Sequence, residues 1–136
     1  MKCAADASGN TDMLDHEVPP HITLSVFESR ASEEELVEKL DELFLSGKTC
    51  EIMWVSVAAF FPRVLYLVPV LGRDLHELAL HIYEAIEGWR ETHVQEYYRP
   101  FNCQPHTTVA RKLTQEEMRK AFEGLQRSFV SFRGKA

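Results

Sequence analysis

The chain of 136 residues has only three cysteines, Cys3, Cys50 and Cys103, and no two of them form a Cys-x-x-Cys pair. An odd count leaves at least one thiol free, which argues against a disulfide-stapled secreted fold and for a reducing, cytoplasmic setting. Runs of lysine or arginine are also missing, and 15 basic residues against 21 acidic ones give a formal charge of −6. Nonspecific affinity for long nucleic acid is mostly electrostatic, so no extended nucleic-acid track is expected, and a short oligonucleotide end or a small nucleotide fits better. The longest apolar stretch, Ile52 to Val70, is broken by Pro62 and Arg63. Without an unbroken apolar span of about 18 residues, no membrane partner is expected. Nor is there a basic region followed by an apolar one at the start, so a secretory signal is not expected.

Metal and nucleotide motifs fail on spacing. His76 and His81 lie five residues apart, where a zinc-binding helix needs four, and His81 shares the polar helix face with Glu77. Ser46-Gly47-Lys48-Thr49 resembles the end of a phosphate-binding loop, but the first glycine of that motif would fall at Glu42, inside a helix. His16 and His93 have no evident partner set and read as surface residues. No metal and no cofactor are expected.

What is present is ordinary for a globular protein: 45% hydrophobic and 26% charged residues. The length suits one core and is short for two independent domains, so residues 18–136 are read as a single domain. Residues 1–17 are polar and small-rich, lack periodicity and lead into Pro19-Pro20, so they read as a flexible lead-in. Ser32 with Glu35, and Thr114 with Glu117, are capping boxes ahead of apolar residues at helical spacing, the first helix ending near Gly47. Residues 50–61 and 64–70 are β-rich around Pro62-Arg63, an antiparallel hairpin. A helix carrying Leu75, Leu78, Ala79, Ile82 and Ile86 stops at Gly88, a looser stretch runs from Trp89 to Gln104, and a short strand is expected near Phe129 to Phe132. The layout is α+β.

The most informative pattern occurs twice. His21-Ile22-Thr23-Leu24 and His106-Thr107-Thr108-Val109 each follow a proline and open an apolar segment. If each is a strand, as predicted for His21 to Phe27, side chains alternate, so His and Thr share a face about 6.6 Å apart at roughly 3.3 Å per residue. Two such strands side by side would line a cleft around one phosphate group. In-line displacement at phosphorus needs a base for the attacking hydroxyl and an acid for the departing oxygen. Two imidazoles, with ordinary pKa values of about 6.5, can fill both roles near neutrality. Threonine hydroxyls can donate to the non-bridging oxygens as charge builds there.

On these residues the chain resembles the 2H phosphoesterases, whose best-known branch is the 2′-5′ RNA ligase and cyclic phosphodiesterase group. That signature is two copies of His-hydrophobic-Ser/Thr-hydrophobic, one per lobe of a pseudo-symmetric fold. The first copy matches fully, and the second matches at His106, Thr108 and Val109 but carries polar Thr107 in a hydrophobic slot. The two copies are 85 residues apart, a separation in keeping with the resemblance, which extends from Pro19 onward. The strand Val64 to Val70 with its following helix also looks like the family's central unit.

The resemblance implies a bilobal fold with antiparallel sheets flanked by helices. It also implies a metal-independent activity on 2′,3′-cyclic phosphate or 2′-5′ linkages of RNA ends or nucleotides, with His21 and His106 as the acid-base pair. Thr23 and Thr108 would hold the phosphate, and Arg111 looks like the arginine that follows the second motif in ligase-branch members. Arg111 reads equally well as a solvated residue entering the last helix. Family members usually carry a strand and a helix before the first motif, which leaves three readings: an abbreviated first lobe, a homodimer whose second copy completes it, or a chain that begins late. Two other functions compete with catalysis. One is a binding module that holds a nucleotide or RNA end without turnover, and the other is an interaction domain whose histidines face no cavity. Phe60, Phe61, Tyr66, Tyr97 and Tyr98 could stack on a base or fill core, and neither role is assigned.

Overall fold

The computed structural model describes residues 1–45 and 49–135. In chain order the elements are α1 (Lys2–Ser8), α2 (Asp12–Asp15), β1 (Phe27–Glu28), α3 (Glu33–Phe44), β2 (Glu51–Phe60), β3 (Val64–Pro69), α4 (Arg73–Ile86), β4 (His93–Val94), β5 (Thr107–Ala110), α5 (Gln115–Ser128) and β6 (Phe132–Lys135). The class is α+β with antiparallel strand pairs, as expected. None of the described helices is long and apolar enough to cross a membrane. The chain divides into two compact units. One comprises Met1–Ile22, Met53–Val70 and Pro105–Gly134, and the other is built mainly from Thr23–Ile52 and Leu71–Gln104.

The first unit is organised by a four-stranded sheet in the order β5-β3-β2-β6. Residues opposite one another in paired strands share a face, so Ala58, Tyr66 and Thr108 form one row across β2, β3 and β5. Leu65 pairs with Ala59 and Ala110, and Leu67 with Val57 and Thr107, which sets this second group on the opposite face. That opposite face is the core side: Leu65, Val109, Ala110, Leu113, Met118, Ala121 and Leu125 are buried together with Ala4. Irregularities shift the register between Leu65 and Tyr66 and between Trp54 and Ser56. Each one changes which side chains look inward.

Helix α5 begins at the predicted capping box, with Thr114 Oγ1 accepting from the Glu117 amide and the Glu117 carboxylate accepting from the Thr114 amide. Its partner is α1, which lies within residues 1–17, the stretch read from the sequence as a flexible lead-in. Lys2–Ser8 is helical, Ala4 is fully buried, and α1 packs on α5 so closely that a Cβ added to Gly124 would lie 2.5 Å from the Ala7 Cβ. The buried residues of α1 are the alanines Ala4 and Ala5, with Ala4 in the apolar core cluster, and Ala7 is the one that approaches Gly124.

In the second unit, Ile82 and Ile86 of α4 and Val94 of β4 form the buried cluster, with Leu40 and Leu43 of α3 and Phe27 of β1 against it. Helix α3 starts at the predicted Ser32/Glu35 capping box, and α4 is followed by Gly88 in the left-handed region at φ 77°. The expected helix stop at Gly47, and Ser46 and Lys48 beside it, lie outside the described residues. A further correction concerns the strand expected over His21 to Phe27: only Phe27–Glu28 is a strand, paired with His93–Val94. Pro19 and Pro20 have no N–H to donate to a ladder, and regular pairing starts only at Phe27.

Candidate active site

The second motif is set by β5. His106 immediately precedes the strand, and Thr108 stands on the face opposite the core, level with Tyr66. The His106 ring packs edge-on against two aromatic rings of that same face. Its centroid is 5.0 Å from that of Phe60 and 5.2 Å from that of Tyr66, at interplanar angles of 84° and 61°. Phe60 and Tyr66 are themselves stacked at 4.3 Å. These three distances form a nearly isosceles triangle, so the imidazole lies beside the stacked pair and not on the outer face of either ring.

Thr107, which breaks the hydrophobic slot of the signature, has a structural explanation. It is 4% exposed, and its Oγ1 accepts a hydrogen bond from the Trp54 indole Nε1–H at 3.0 Å. The register shift after Trp54 places that indole on the core face, where Thr107 also points. A buried polar side chain is tolerated because it is paired, and the pair ties β2 to β5 beside His106. Phe132 stacks on the same indole at 5.0 Å.

The first motif is held differently. His21 is exposed, and its Nδ1 lies 2.8 Å from the Pro19 carbonyl oxygen. A carbonyl only accepts, so Nδ1 carries the hydrogen and Nε2 is the nitrogen left to exchange a proton. Thr23 is half-buried and opens the second unit, whereas His21, His106, Thr108 and Arg111 all belong to the first.

Arg111 follows β5, and its Nε donates to Asp12 Oδ2 at 2.6 Å, while the neighbouring Lys112 Nζ reaches Asp12 Oδ1 at 2.7 Å. Consecutive residues of a strand point apart. The left-handed turn at Lys112, φ 55°, brings both cations to one carboxylate. The hydrogen bonds from Lys112 and Arg111 hold the Asp12 carboxyl at about 2, below its ordinary 3.8. Arg111 thus has one edge fixed by α2. Among the described residues, no group of three or more His, Cys, Asp and Glu side chains is arranged to hold a metal ion.

Sequence reasoning did not identify Asp12, Trp54, or the roles of Phe60 and Tyr66. The last two carried a usable signal: a hairpin turning at Pro62-Arg63 makes positions 60 and 66 neighbours on one face. Trp54 carried none, because its orientation depends on a local irregularity in β2.

A search of curated proteins found no match to the chain. The family model of the 2′-5′ RNA ligase superfamily matches residues 5–135. Members of that superfamily are usually phosphoesterases or ligases. With nearly the whole length matched and both histidine motifs present, the chain belongs to the 2′-5′ RNA ligase superfamily, that is, to the 2H phosphoesterases.

Proposed function

We propose that the protein is a metal-independent phosphoesterase acting on 2′,3′-cyclic phosphate or 2′-5′ linkages at RNA ends or in nucleotides. His21 and His106 are the acid-base pair. For a cyclic phosphate, one neutral imidazole takes a proton from water as its oxygen attacks phosphorus. The bond from phosphorus to one ribose oxygen breaks, and the other ring, protonated at the start, gives its proton to that oxygen. The product is a ribose monophosphate, and one proton exchanged with solvent resets each ring. Near neutral pH both protonation states are accessible to imidazole, which general acid-base catalysis requires.

Thr108 donates hydrogen bonds to the non-bridging oxygens, and Arg111 balances the phosphate charge. The observation that carries the reading is that a chain matched to the family over residues 5–135 holds both halves of the signature, with both histidines in one compact unit. The orientation of His21 adds support, because its Nδ1–H is bound to the Pro19 carbonyl and Nε2 is the reactive nitrogen.

The test is turnover of nucleoside 2′,3′-cyclic phosphates. Expected are a bell-shaped rate profile centred near neutrality, insensitivity to EDTA, and loss of nearly all turnover in His21→Ala and in His106→Ala. A monotonic pH profile, or full activity in either variant, would discard the mechanism. Binding of the cyclic nucleotide without product would favour a non-catalytic nucleotide- or RNA-end-binding module instead.

A further inference from the structure

We infer that the stacked Phe60–Tyr66 pair is a positioning element that fixes the plane of the His106 imidazole; the inference rests on the proposed role of His106 in proton transfer. Three observations carry it. The two rings are neighbours across the β2–β3 hairpin on the face that also bears Thr108, and His106 contacts both at once, at 5.0 and 5.2 Å. Tyr66 is 7% exposed and seated between strands on both sides, so it supplies a fixed wall. Phe60, 38% exposed at the end of β2, completes the wall from the solvent side.

His106 stands just outside the regular strand, where backbone pairing no longer dictates the direction of its side chain. An imidazole turns about two side-chain bonds. Contact with two rings at steep angles on one flank restricts rotation about both, where a single contact would leave a swing. Proton transfer in line with a breaking bond depends on that direction, and a misplacement of about 1 Å can cost ~100-fold in rate. Edge-on aromatic packing is directional enough to supply the restraint.

Phe60 is the residue to change, since loss of the buried Tyr66 ring could unfold the sheet. In Phe60→Leu the expected result is a fall in kcat of at least ~10-fold with KM changed less than about twofold. The same variant should shift the His106 ring protons in the NMR spectrum by removing the Phe60 share of their ring-current displacement while the Tyr66 share stays, and Phe60→Tyr should restore both readouts. Phe60→Leu with kcat within twofold of wild type, alongside an inactive His106→Ala, overturns the positioning role and leaves the functional reading standing. Equal turnover in wild type and His106→Ala overturns the functional reading, and this inference with it. A loss of kcat without any change in the His106 ring signals also overturns it, because Phe60 would then act by another route.

Discussion

Gly124→Ala reverses sign depending on whether α1 is docked. In the middle of a helix this substitution ordinarily stabilises by about 1 kcal/mol, since alanine loses less backbone entropy. Gly124 lies within α5, yet the new methyl carbon would sit 2.5 Å from the Ala7 Cβ. Carbon atoms in contact rest at about 3.5–4.0 Å, so α1 must back away by roughly 1 Å or more. Overpacking of this kind costs about 1–3 kcal/mol. Taking about 2 kcal/mol for the clash, the net effect is a loss of about 1 kcal/mol, or roughly 3–5 °C in Tm for a chain of this size. Thermal unfolding followed by circular dichroism reads this directly. An Ala7→Gly background removes the opposing methyl group, and there Gly124→Ala should become stabilising, a coupling that a double-mutant cycle isolates. A rise in Tm for Gly124→Ala in the otherwise unaltered chain would refute the packing of α1 on α5.

Two further perturbations bear on the frame of the site. Thr107→Val keeps the shape but leaves the Trp54 N–H without its acceptor, which should cost about 1–2 kcal/mol in urea unfolding; an unchanged midpoint would contradict the Trp54–Thr107 tie. Asp12→Asn should destabilise at neutral pH, because the Asp12 pKa is depressed to about 2 and its stabilisation is present above the ordinary carboxylate range. That contribution fades as pH falls through about 2, so the Tm gap between wild type and variant should close toward that pH. A gap constant from pH 7 downward would show that the ion pairs of Asp12 with Arg111 and Lys112 do not carry the effect.

Local chemistry was legible in the sequence wherever it was self-contained. Ser32 with Glu35 and Thr114 with Glu117 satisfy helix-end amides within four residues, and both capping boxes form as the spacing implies. The hairpin around Pro62-Arg63 is equally local. Helix α1 was not legible, because Lys2–Ser8 contains no large apolar residue, and its packing joins Ala4 to a core cluster and Ala7 to Gly124, all with partners far along the chain. The first motif misled in the opposite sense. Its alternating apolar residues suit a strand, but ladder pairing is a tertiary property and begins only at Phe27. At the site, the residue types His21, His106 and Thr108 were visible in the repeated motif, whereas the surroundings of His106 depend on strand register. Arg111 was singled out as a cation, but its carboxylate partner lies 99 residues earlier in the chain.

The central claim is that the imidazoles of His21 and His106 act on one phosphate group. Titration of the protein with inorganic phosphate, monitored on the histidine ring signals by NMR, tests it most directly. Both rings should shift along saturable curves with one shared midpoint, while those of His76, His81 and His93 stay in place. Movement of only one of the pair, or two different midpoints, would contradict a common site.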